Sequence, residues 1–358
     1  MPIVQEMLRS GASWSGSERD HFFLNAGGEE FVELSGVAGL DSVADGRATA
    51  VLDFDRDGWP DLAVVNANSP QLMLYRNELG GRVEHGSVAV ALVGGRRAEG
   101  AGTEGGGPGA EGPSFSNRDA IGATLALQVG ERLLRREIRA GEGFASQSSR
   151  RVTFGLGSAS RAEALSVRWP GGREQRIEDV PVGSFVRVFE DPARSPDGSG
   201  FAITPFVGSE VAPTRSDVPA AAPELAGFPR RDDATLHLYT STATWCVACA
   251  AEVDDLARLR AAFGEDQLAL LGVAVDPADD AASLRAWSER FGAEHEILVG
   301  LPPEDLEAFE QAVLDRLKRP GLPAALIADA DGRIVHAQFG PPTVSTIRRL
   351  LDAAAKGR

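Results

Sequence analysis

Residues 235–249, TLHLYTSTATWCVAC, lead from a run of apolar and β-favouring side chains into a pair of cysteines. The first part predicts a buried strand, because short runs of this kind bounded by turn residues are typical of strands. Cys246 and Cys249 lie three residues apart, where a helix is predicted to begin. The stretch therefore predicts a strand that leads into a helix with both thiols in its first turn.

This position suits thiol chemistry. A helix N-terminus carries partial positive charge and unpaired N–H groups, which both stabilise a thiolate. In C-x-x-C motifs the pKa of the first cysteine falls to roughly 3.5–7.5. We therefore predict that Cys246 is the exposed nucleophile that attacks a substrate disulfide, and that Cys249 is the resolving thiol. The expected redox partners are protein thiols and disulfides, and we expect no cofactor for this step.

A zinc half-site and a pair of inert thiols are the alternative interpretations. Structural zinc usually needs four ligands, such as two C-x-x-C pairs. Cys246 and Cys249 are the only cysteines of the chain, and its five histidines show no H-x₃₋₅-H spacing. The composition therefore favours a redox pair over a zinc site.

Three further residues are candidates for the site, two beside the cysteines and one far along the chain. Trp245 directly precedes the first cysteine, and Glu252 follows Cys249 by three residues on the same predicted helix face. A carboxylate in that place would relay a proton to or from the buried thiol. Pro323 opens a predicted strand and is a candidate for a cis peptide bond. The alternatives are a solvated helix charge for Glu252 and an ordinary strand-start proline for Pro323.

From residue 235 onward, predicted strands alternate with predicted helices, which indicates an α/β layer. The stretches STATWCVACAAEVDDL (241–256), LLGVAVD (270–276) and GLPAALIADADGRIVHAQFG (321–340) resemble thioredoxin-fold proteins. The resemblance is greatest to envelope thiol-disulfide oxidoreductases of the TlpA/ResA kind. It implies Cys246 as nucleophile, Cys249 as resolver, Glu252 as proton relay and Pro323 as a cis-proline facing the disulfide.

The chain departs from that family between the cysteines. Val247 and Ala248 stand where the family often has a proline. Because these two positions tune the reduction potential, the resemblance leaves the direction of electron flow open.

A second motif, DFDRDGWPD (53–61), predicts a calcium loop. Ca²⁺ takes six to eight oxygen ligands, and alternate residues of a tight loop point their oxygens inward. The loop would supply four carboxylates and one backbone carbonyl, from Asp53, Asp55, Asp57, Asp61 and Trp59 respectively. The twelfth position holds Val64 instead of a glutamate and the flanks read as strands, so an EF-hand is excluded. The role of the ion would be structural; an acidic turn without metal is the alternative.

The surrounding stretches FFLNAGGEEFVELSGVAGL (22–40) and ATAVLDFDRDGWPDLAVVNA (48–67) resemble an FG-GAP/VCBS repeat, the blade unit of some β-propellers. A propeller has about 4–8 blades, whereas this chain has one such calcium loop. The resemblance therefore leads us to expect either a truncated N-terminus or a partner that supplies the remaining blades.

The middle of the chain resembles the ASPIC/UnbV domain. The matching motifs, in order, are NRDAIGA (117–123), REIRAGEGFASQSS (136–149), FGLG (154–157) and VRWPGG (167–172). This resemblance implies an interaction outside the cytoplasm instead of a reaction. Two arginine clusters, at 135–139 and 150–151, are interpreted as a solvated face.

We therefore expect a multidomain chain: an all-β N-terminal part, with a partial propeller-like blade and an ASPIC/UnbV-like domain, and a C-terminal α/β thioredoxin-like domain. The predicted segments are the calcium-loop module at 20–93, a flexible Gly-rich insertion at 94–116, the ASPIC/UnbV-like domain at 117–190, a linker at 191–233 and the thioredoxin-like domain at 234–358.

The formal net charge is −16, which repels phosphate backbones and makes nucleic acid an unexpected partner. The longest apolar run, Leu268 to Val275, is much shorter than the ~20 residues of a membrane span. No secretory signal peptide is visible at the start, whereas both N-terminal resemblances imply a periplasmic or secreted protein. A truncated N-terminus would reconcile the two expectations.

The sequence thus favours a thiol-disulfide oxidoreductase whose β domains engage a surface or a protein ligand. The alternative is an extracellular binding or adhesion protein with a passive thioredoxin-fold module. A peroxide-reducing thiol enzyme is a weaker third interpretation, because no convincing peroxide-activating Thr/Arg set accompanies the cysteines.

Overall fold

The structure is a computed structural model that describes residues 18–68, 70–80, 86–95, 115–207, 225 and 227–356. Within these ranges, residues 44–207 form one compact unit, and residues 18–43 together with 225–356 form a second. The Gly-rich insertion predicted at 94–116 lies, apart from its two ends, outside the described residues. No described helix has the length and apolar character that crossing a membrane requires.

The N-terminal segment of the second unit begins with a short antiparallel hairpin. Its strands are β1 (Phe23–Asn25) and β2 (Phe31–Glu33), and a one-turn helix α1 (Ser35–Ala38) follows. These residues fall in the predicted calcium-loop module at 20–93, whereas the structure groups them with the C-terminal part of the chain.

The first unit starts with a three-stranded antiparallel sheet, which contains the acidic loop. The strands are β3 (Gly46–Leu52), β4 (Asp61–Asn66) and β5 (Leu72–Tyr75), in the order β3-β4-β5. Residues 53–60 connect β3 to β4, so the motif lies between strands as the sequence predicted. The propeller interpretation of this sheet stays a prediction.

Two four-stranded sheets form the rest of the first unit. Their strands, in chain order, are β6 (Gly86–Val93), β7 (Thr124–Val129), β8 (Arg132–Glu137), β9 (Val152–Gly157), β10 (Arg161–Arg168), β11 (Glu174–Pro181), β12 (Ser184–Phe189) and β13 (Phe201–Pro205). One sheet has the order β11-β10-β7-β8 and the other β13-β12-β6-β9. All pairs are antiparallel except β6 with β12.

One apolar core joins these two sheets. Leu125, Leu127 and Leu165 of the first sheet share a buried cluster with Val88 and Phe154 of the second. Every second residue of β7 is buried, which is the period expected when one face of a sheet meets the core. The opposite face of the sheet β11-β10-β7-β8 is therefore open.

Two predicted boundaries differ from the structure. β6, assigned to the calcium-loop module, pairs with β9 and β12, and β13, which falls in the predicted linker 191–233, pairs with β12. The local pattern of residues 201–205 does not reveal this pairing, because a strand at a sheet edge is specified by a partner far along the chain.

The remaining part of the second unit alternates strands and helices, as predicted. In chain order these are β14 (Leu236–Thr242), α2 (Val247–Ala251), α3 (Val253–Ala262), β15 (Leu268–Ala274), α4 (Ala281–Phe291), β16 (Glu296–Leu298), α5 (Pro303–Leu317), β17 (Ala324–Asp329), β18 (Ile334–Phe339) and α6 (Val344–Lys356). The sheet order is β16-β15-β14-β17-β18, with the first three strands parallel and the last two antiparallel to their neighbours. This topology is that of a thioredoxin-like fold.

The central strand β14 is buried at all seven positions. Its two faces contribute to separate apolar clusters: Tyr239 packs with Phe309 of α5, and Leu238 packs with Leu256 of α3 and Ile347 of α6. Helices therefore cover both faces of the sheet, which is why the strand reads as a continuous buried run instead of an alternating one.

The N-terminal segment of this unit packs on α6 through α1. A Cβ placed on Gly36 would come within 2.8 Å of Cγ1 of Val344, so the backbone of α1 packs directly against this side chain of α6. The carboxylate of Asp41 accepts the backbone N–H of Ser345, at 3.0 Å, in the first turn of α6. Both contacts join segments about 300 residues apart in sequence.

We expect Gly36→Ala to destabilise the chain by about 1–3 kcal/mol, since the added methyl group overpacks the α1–α6 contact. Combining it with Val344→Ala should cost less than the sum of the two single variants. Urea unfolding of the full chain measures these free energies. Gly227→Ala is the matched control, because nothing lies within 4 Å of a Cβ at that position. If the double variant lost as much free energy of unfolding as the two single variants together, the contact between α1 and α6 would be contradicted.

Candidate functional site

Cys246 and Cys249 form a disulfide at the carboxyl end of β14, where α2 begins. Their Cα atoms are 5.2 Å apart. Cys246 is the N-cap residue of α2, and its Sγ accepts the backbone N–H of Cys249 at 3.1 Å. The strand-to-helix placement predicted from the sequence is therefore the one observed.

The cysteines are less exposed than their neighbours. Cys246 is 6% exposed and Cys249 1%, whereas Trp245 is 64% and Val247 84% exposed. Cys246 is thus the more accessible thiol of the pair, but it is not the openly exposed residue that the sequence analysis predicted. The reason is apolar packing: both cysteines belong to a buried cluster with Ala243 and Trp287.

Trp245 is exposed, but its indole is held in place. The indole N–H donates to the carboxylate of Asp276 at 2.6 Å. The next residue back, Thr244, donates its backbone N–H to Asp279 at 2.8 Å. The Ala278 backbone N–H and the Trp245 indole hold the pKa of Asp276 below its usual value. Sequence reasoning missed both aspartates, because they lie about 30 residues beyond the motif.

Glu252 is the buried acid of the site. It is 4% exposed, and its Oε1 accepts the hydroxyl of Thr240 at 2.7 Å. Its Oε2 is buried without a hydrogen-bond partner among the described residues. Burial raises the pKa of Glu252 to about 7, against a smaller opposing effect of the Thr240 hydrogen bond. The carboxyl group therefore exchanges a proton near neutral pH, and the solvated-charge alternative does not apply.

Glu252 also marks an interruption of the helix. The helix that begins at the cysteines is not continuous, because Glu252, whose ψ is −6°, separates α2 from α3. This break accompanies the inward direction of the side chain, toward Thr240 of the central strand.

The proline loop lies against the same strand. The Leu322–Pro323 peptide bond is cis, which is the geometry expected for Pro323. The backbone N–H of Ala324 donates to Oγ of Ser241 at 2.7 Å, and the carbonyl oxygen of Ser241 lies 3.6 Å from Sγ of Cys249. Ser241 therefore contacts the loop and the disulfide at once.

Trp287 of α4 is a site residue that the sequence analysis missed. It is buried in the apolar cluster that holds the disulfide, and Leu322 packs against that cluster. Its spacing from Leu284, three residues earlier on the same helix face, was the available signal. A separate groove of about 490 Å³ borders Trp245, Leu322 and Phe309.

The acidic loop brings some, but not all, of its predicted ligands together. Carboxylate oxygens of Asp53, Asp55 and Asp61 lie within 4.8 Å of one another. Asp57 lies outside this group; its Oδ1 accepts the backbone N–H of Trp59 at 2.8 Å. Burial raises the pKa values of Asp57 and Asp61, and neighbouring carboxylates add to the effect.

Two arginines from outside the loop form ion pairs with its carboxylates. Arg76 contacts Asp55 at 2.9 Å and Arg151 contacts Asp53 at 3.2 Å. The other oxygen of Asp53, Oδ1, is buried and has no hydrogen-bond partner in the described part of the chain. An orphaned carboxylate oxygen beside two further carboxylates fits a hard divalent cation.

Two parts of the chain are similar to known proteins. The family "ASPIC and UnbV" matches residues 113–195, which confirms the resemblance seen in the middle motifs. No curated protein matches the chain.

Three similar solved structures align with about a third of the chain. The thioredoxin domain of a thiol-disulfide oxidoreductase from Bacteroides vulgatus is 19% identical, covers 34% of this chain and 81% of its own, and has a TM-score of 0.28. A thio-disulfide isomerase from Thermus thermophilus is 20% identical (33% and 78% covered, TM-score 0.27). StoA from Bacillus subtilis is 14% identical (33% and 81% covered, TM-score 0.25).

The buried carboxyl group gives a pH prediction. The pKa of Glu252 is about 7 in the folded chain, above its ordinary 4.5. Between these two pH values the folded chain retains a proton that the unfolded chain has lost, so stability falls as the pH rises. Glutamine does not titrate, so Glu252→Gln removes this fall in stability. We expect the variant to gain on the order of 3 kcal/mol relative to the wild type between pH 4.5 and pH 8.

Urea unfolding at pH 4.5 and pH 8, with the disulfide intact, measures this difference. Glu289→Gln, on the exposed side of α4, is the matched control and should show no comparable gain. A stability difference between Glu252→Gln and the wild type that does not change with pH would contradict the raised pKa.

Proposed function

We propose that this chain is a thiol-disulfide oxidoreductase that acts on protein thiols and disulfides. The observation that carries the proposal is the Cys246–Cys249 disulfide at the end of a buried central strand, with the Cys249 N–H donated to Cys246 Sγ. A hydrogen bond to this sulfur would stabilise the thiolate that forms on reduction. Glu252 and Thr240 behind it supply a proton-exchanging group.

The reduced form would act in two steps. The Cys246 thiolate attacks one sulfur of the partner's disulfide; an S–S bond forms to Cys246, the partner's own S–S bond breaks, and one partner thiolate leaves. Cys249 then gives up its proton and attacks Cys246 Sγ, which forms the intramolecular disulfide and releases the second partner thiolate. Two electrons pass from the chain to the partner, and the reverse sequence oxidises a partner dithiol.

The surrounding residues would assist these steps. Glu252, three residues after Cys249, takes the proton that Cys249 loses, since its carboxyl titrates near neutral pH. Trp245 and the groove of about 490 Å³ beside it offer a surface for the partner polypeptide next to Cys246. The match of residues 113–195 to the ASPIC and UnbV family, whose resemblance implies a role outside the cytoplasm, supports a periplasmic or secreted location.

The test is a redox titration of the full chain in glutathione buffers, followed by tryptophan fluorescence. Trp245 and Trp287 both lie beside the disulfide, so its reduction should change their emission. We expect one reversible two-electron transition. A reduction potential of about −270 mV would indicate a reductant, and one of about −120 mV an oxidant.

Two variants complete this test. Cys246→Ser should abolish the transition and disulfide reduction, while Cys249→Ser should accumulate a mixed disulfide with the partner. A disulfide that stays closed across the whole range would contradict the proposal and favour a binding protein with a passive thioredoxin-like module. Exchange that persists in Cys246→Ser would contradict the role of Cys246 as the nucleophile.

We also propose a structural Ca²⁺ site in the loop 53–61. The buried, unpartnered Oδ1 of Asp53 beside Asp55 and Asp61 supports it. The side chains of these three residues would hold the ion, with Asp57 and the Trp59 carbonyl as the remaining predicted ligands. Arg76 and Arg151 partly neutralise the same carboxylates, so the affinity should be moderate.

Calcium should stabilise the first unit, because a ligand of the folded state alone shifts unfolding by about 2.7 kcal/mol at a hundredfold excess over its Kd. Thermal unfolding with Ca²⁺, with Mg²⁺ and with chelator measures the effect. Asp53→Asn should remove the calcium response, whereas Asp352→Asn, on the exposed side of α6, should keep it. If Ca²⁺ stabilised Asp53→Asn against thermal unfolding as much as Asp352→Asn, the site would be excluded.

A further inference from the structure

The open face of the sheet β11-β10-β7-β8 carries an unusual row of residues. Across the four strands, Arg135 of β8 lies opposite Ala126 of β7, Ala126 opposite Ser166 of β10, and Ser166 opposite Arg176 of β11. Residues in such a row share one face of the sheet. Two small side chains thus form a floor, with an arginine at each side.

The neighbouring row adds a cation near the middle. It runs from Glu137 through Thr124 and Arg168 to Glu174. Together the two rows line a shallow trough of about 890 Å³, hereafter the arginine trough. Three inter-strand spacings separate Arg135 from Arg176, which places their Cα atoms roughly 14 Å apart. The trough is therefore long enough for several units of a chain-like ligand.

The charges of the arginine trough are only partly compensated. Arg176 pairs with Glu178, and Arg139 at the rim pairs with Glu137. Arg135 and Arg168 are exposed and form no ion pair in the described ranges, although Glu174 lies opposite Arg168 on the neighbouring strand. The sequence alone grouped Arg135 with Arg139 as a solvated face; the register adds Arg168 and Arg176 from strands 30 to 40 residues away. The arginines of the lining outnumber its carboxylates, so this face attracts anions locally although the chain has a net charge of −16.

We propose that the arginine trough binds a linear acidic polysaccharide. Arg135 and Arg168 would contact its carboxylate or sulfate groups, since guanidinium groups form charge-assisted bidentate hydrogen bonds with pairs of anionic oxygens. The hydroxyls of Thr124 and Ser166 on the floor would hydrogen-bond to sugar hydroxyls. This function is separate from the redox chemistry proposed above and rests only on residues of the first unit.

Other polyanions fit the trough less well. No aromatic side chain lines it in the described residues, so single-stranded nucleic acid would lack a stacking platform. No large apolar side chain projects from its floor, as binding to a membrane surface would require. An acidic peptide that adds as a strand would pair along the edge strand β8 or β11, and would not lie across the floor that β7 and β10 form.

Binding of the full chain to three polymers tests the proposal: heparin as a sulfated probe, polygalacturonate as a carboxylated probe and dextran as a neutral one. We expect heparin, polygalacturonate or both to bind, with affinity that falls as salt rises, and dextran not to bind. Which acidic polymer binds distinguishes sulfate from carboxylate recognition. Absence of binding to both would overturn the proposal.

Variants assign the binding to the trough. Arg135→Gln with Arg168→Gln should weaken binding at least tenfold, because two charge-assisted contacts are lost. The control pair Arg285→Gln and Arg349→Gln removes the same charge from exposed positions of the other unit and should bind normally. Equal weakening in both pairs would show that only net charge matters and would overturn the proposal.

A second variant keeps the charge and alters the shape. Ala126→Leu fills the floor of the trough and should also weaken binding at least tenfold. Unchanged thermal unfolding would show that each variant is folded. If phosphatidylserine vesicles or single-stranded DNA bind through the same arginines more tightly than either acidic polysaccharide, the polysaccharide is the wrong ligand.

Discussion

The polar side chains buried in the central strand β14 are the constraint on which the site depends. Thr240 and Ser241 each lie about 1% exposed, and a buried hydroxyl without a hydrogen-bond partner is costly. Thr240 donates to Glu252, and Ser241 accepts from the backbone after the cis-proline. The strand that stabilises the fold thereby fixes both the acid and the proline loop around the disulfide.

Much of this arrangement follows from the sequence. The cysteine spacing, the preceding apolar run and the later alternation of strands and helices predict the disulfide, its place at a helix start and the α/β layer. These are local patterns, and local patterns determine where an element begins and which face it buries. The middle motifs likewise predict the ASPIC/UnbV-like region, which the family match confirms over residues 113–195.

What the sequence does not predict depends on partners that are distant in the chain. β13 is a strand because β12 offers it a free edge, and residues 18–43 belong to the second unit because α1 meets α6. Trp287 and Asp276 join the site through tertiary packing and a single hydrogen bond. The low exposure of Cys246 has the same cause, since the apolar cluster around it assembles from residues 243–253, 275, 287–297 and 322.

The hydrogen bond between Trp245 and Asp276 has a consequence for partner recognition. An exposed indole normally samples several rotamers, and association then has to restrict them at an entropic cost of about 0.5–1.5 kcal/mol. Here the indole N–H is held by Asp276 before any partner arrives. The large aromatic surface next to the disulfide is therefore rigid in the free chain, so a docking polypeptide meets a preformed contact instead of a mobile side chain.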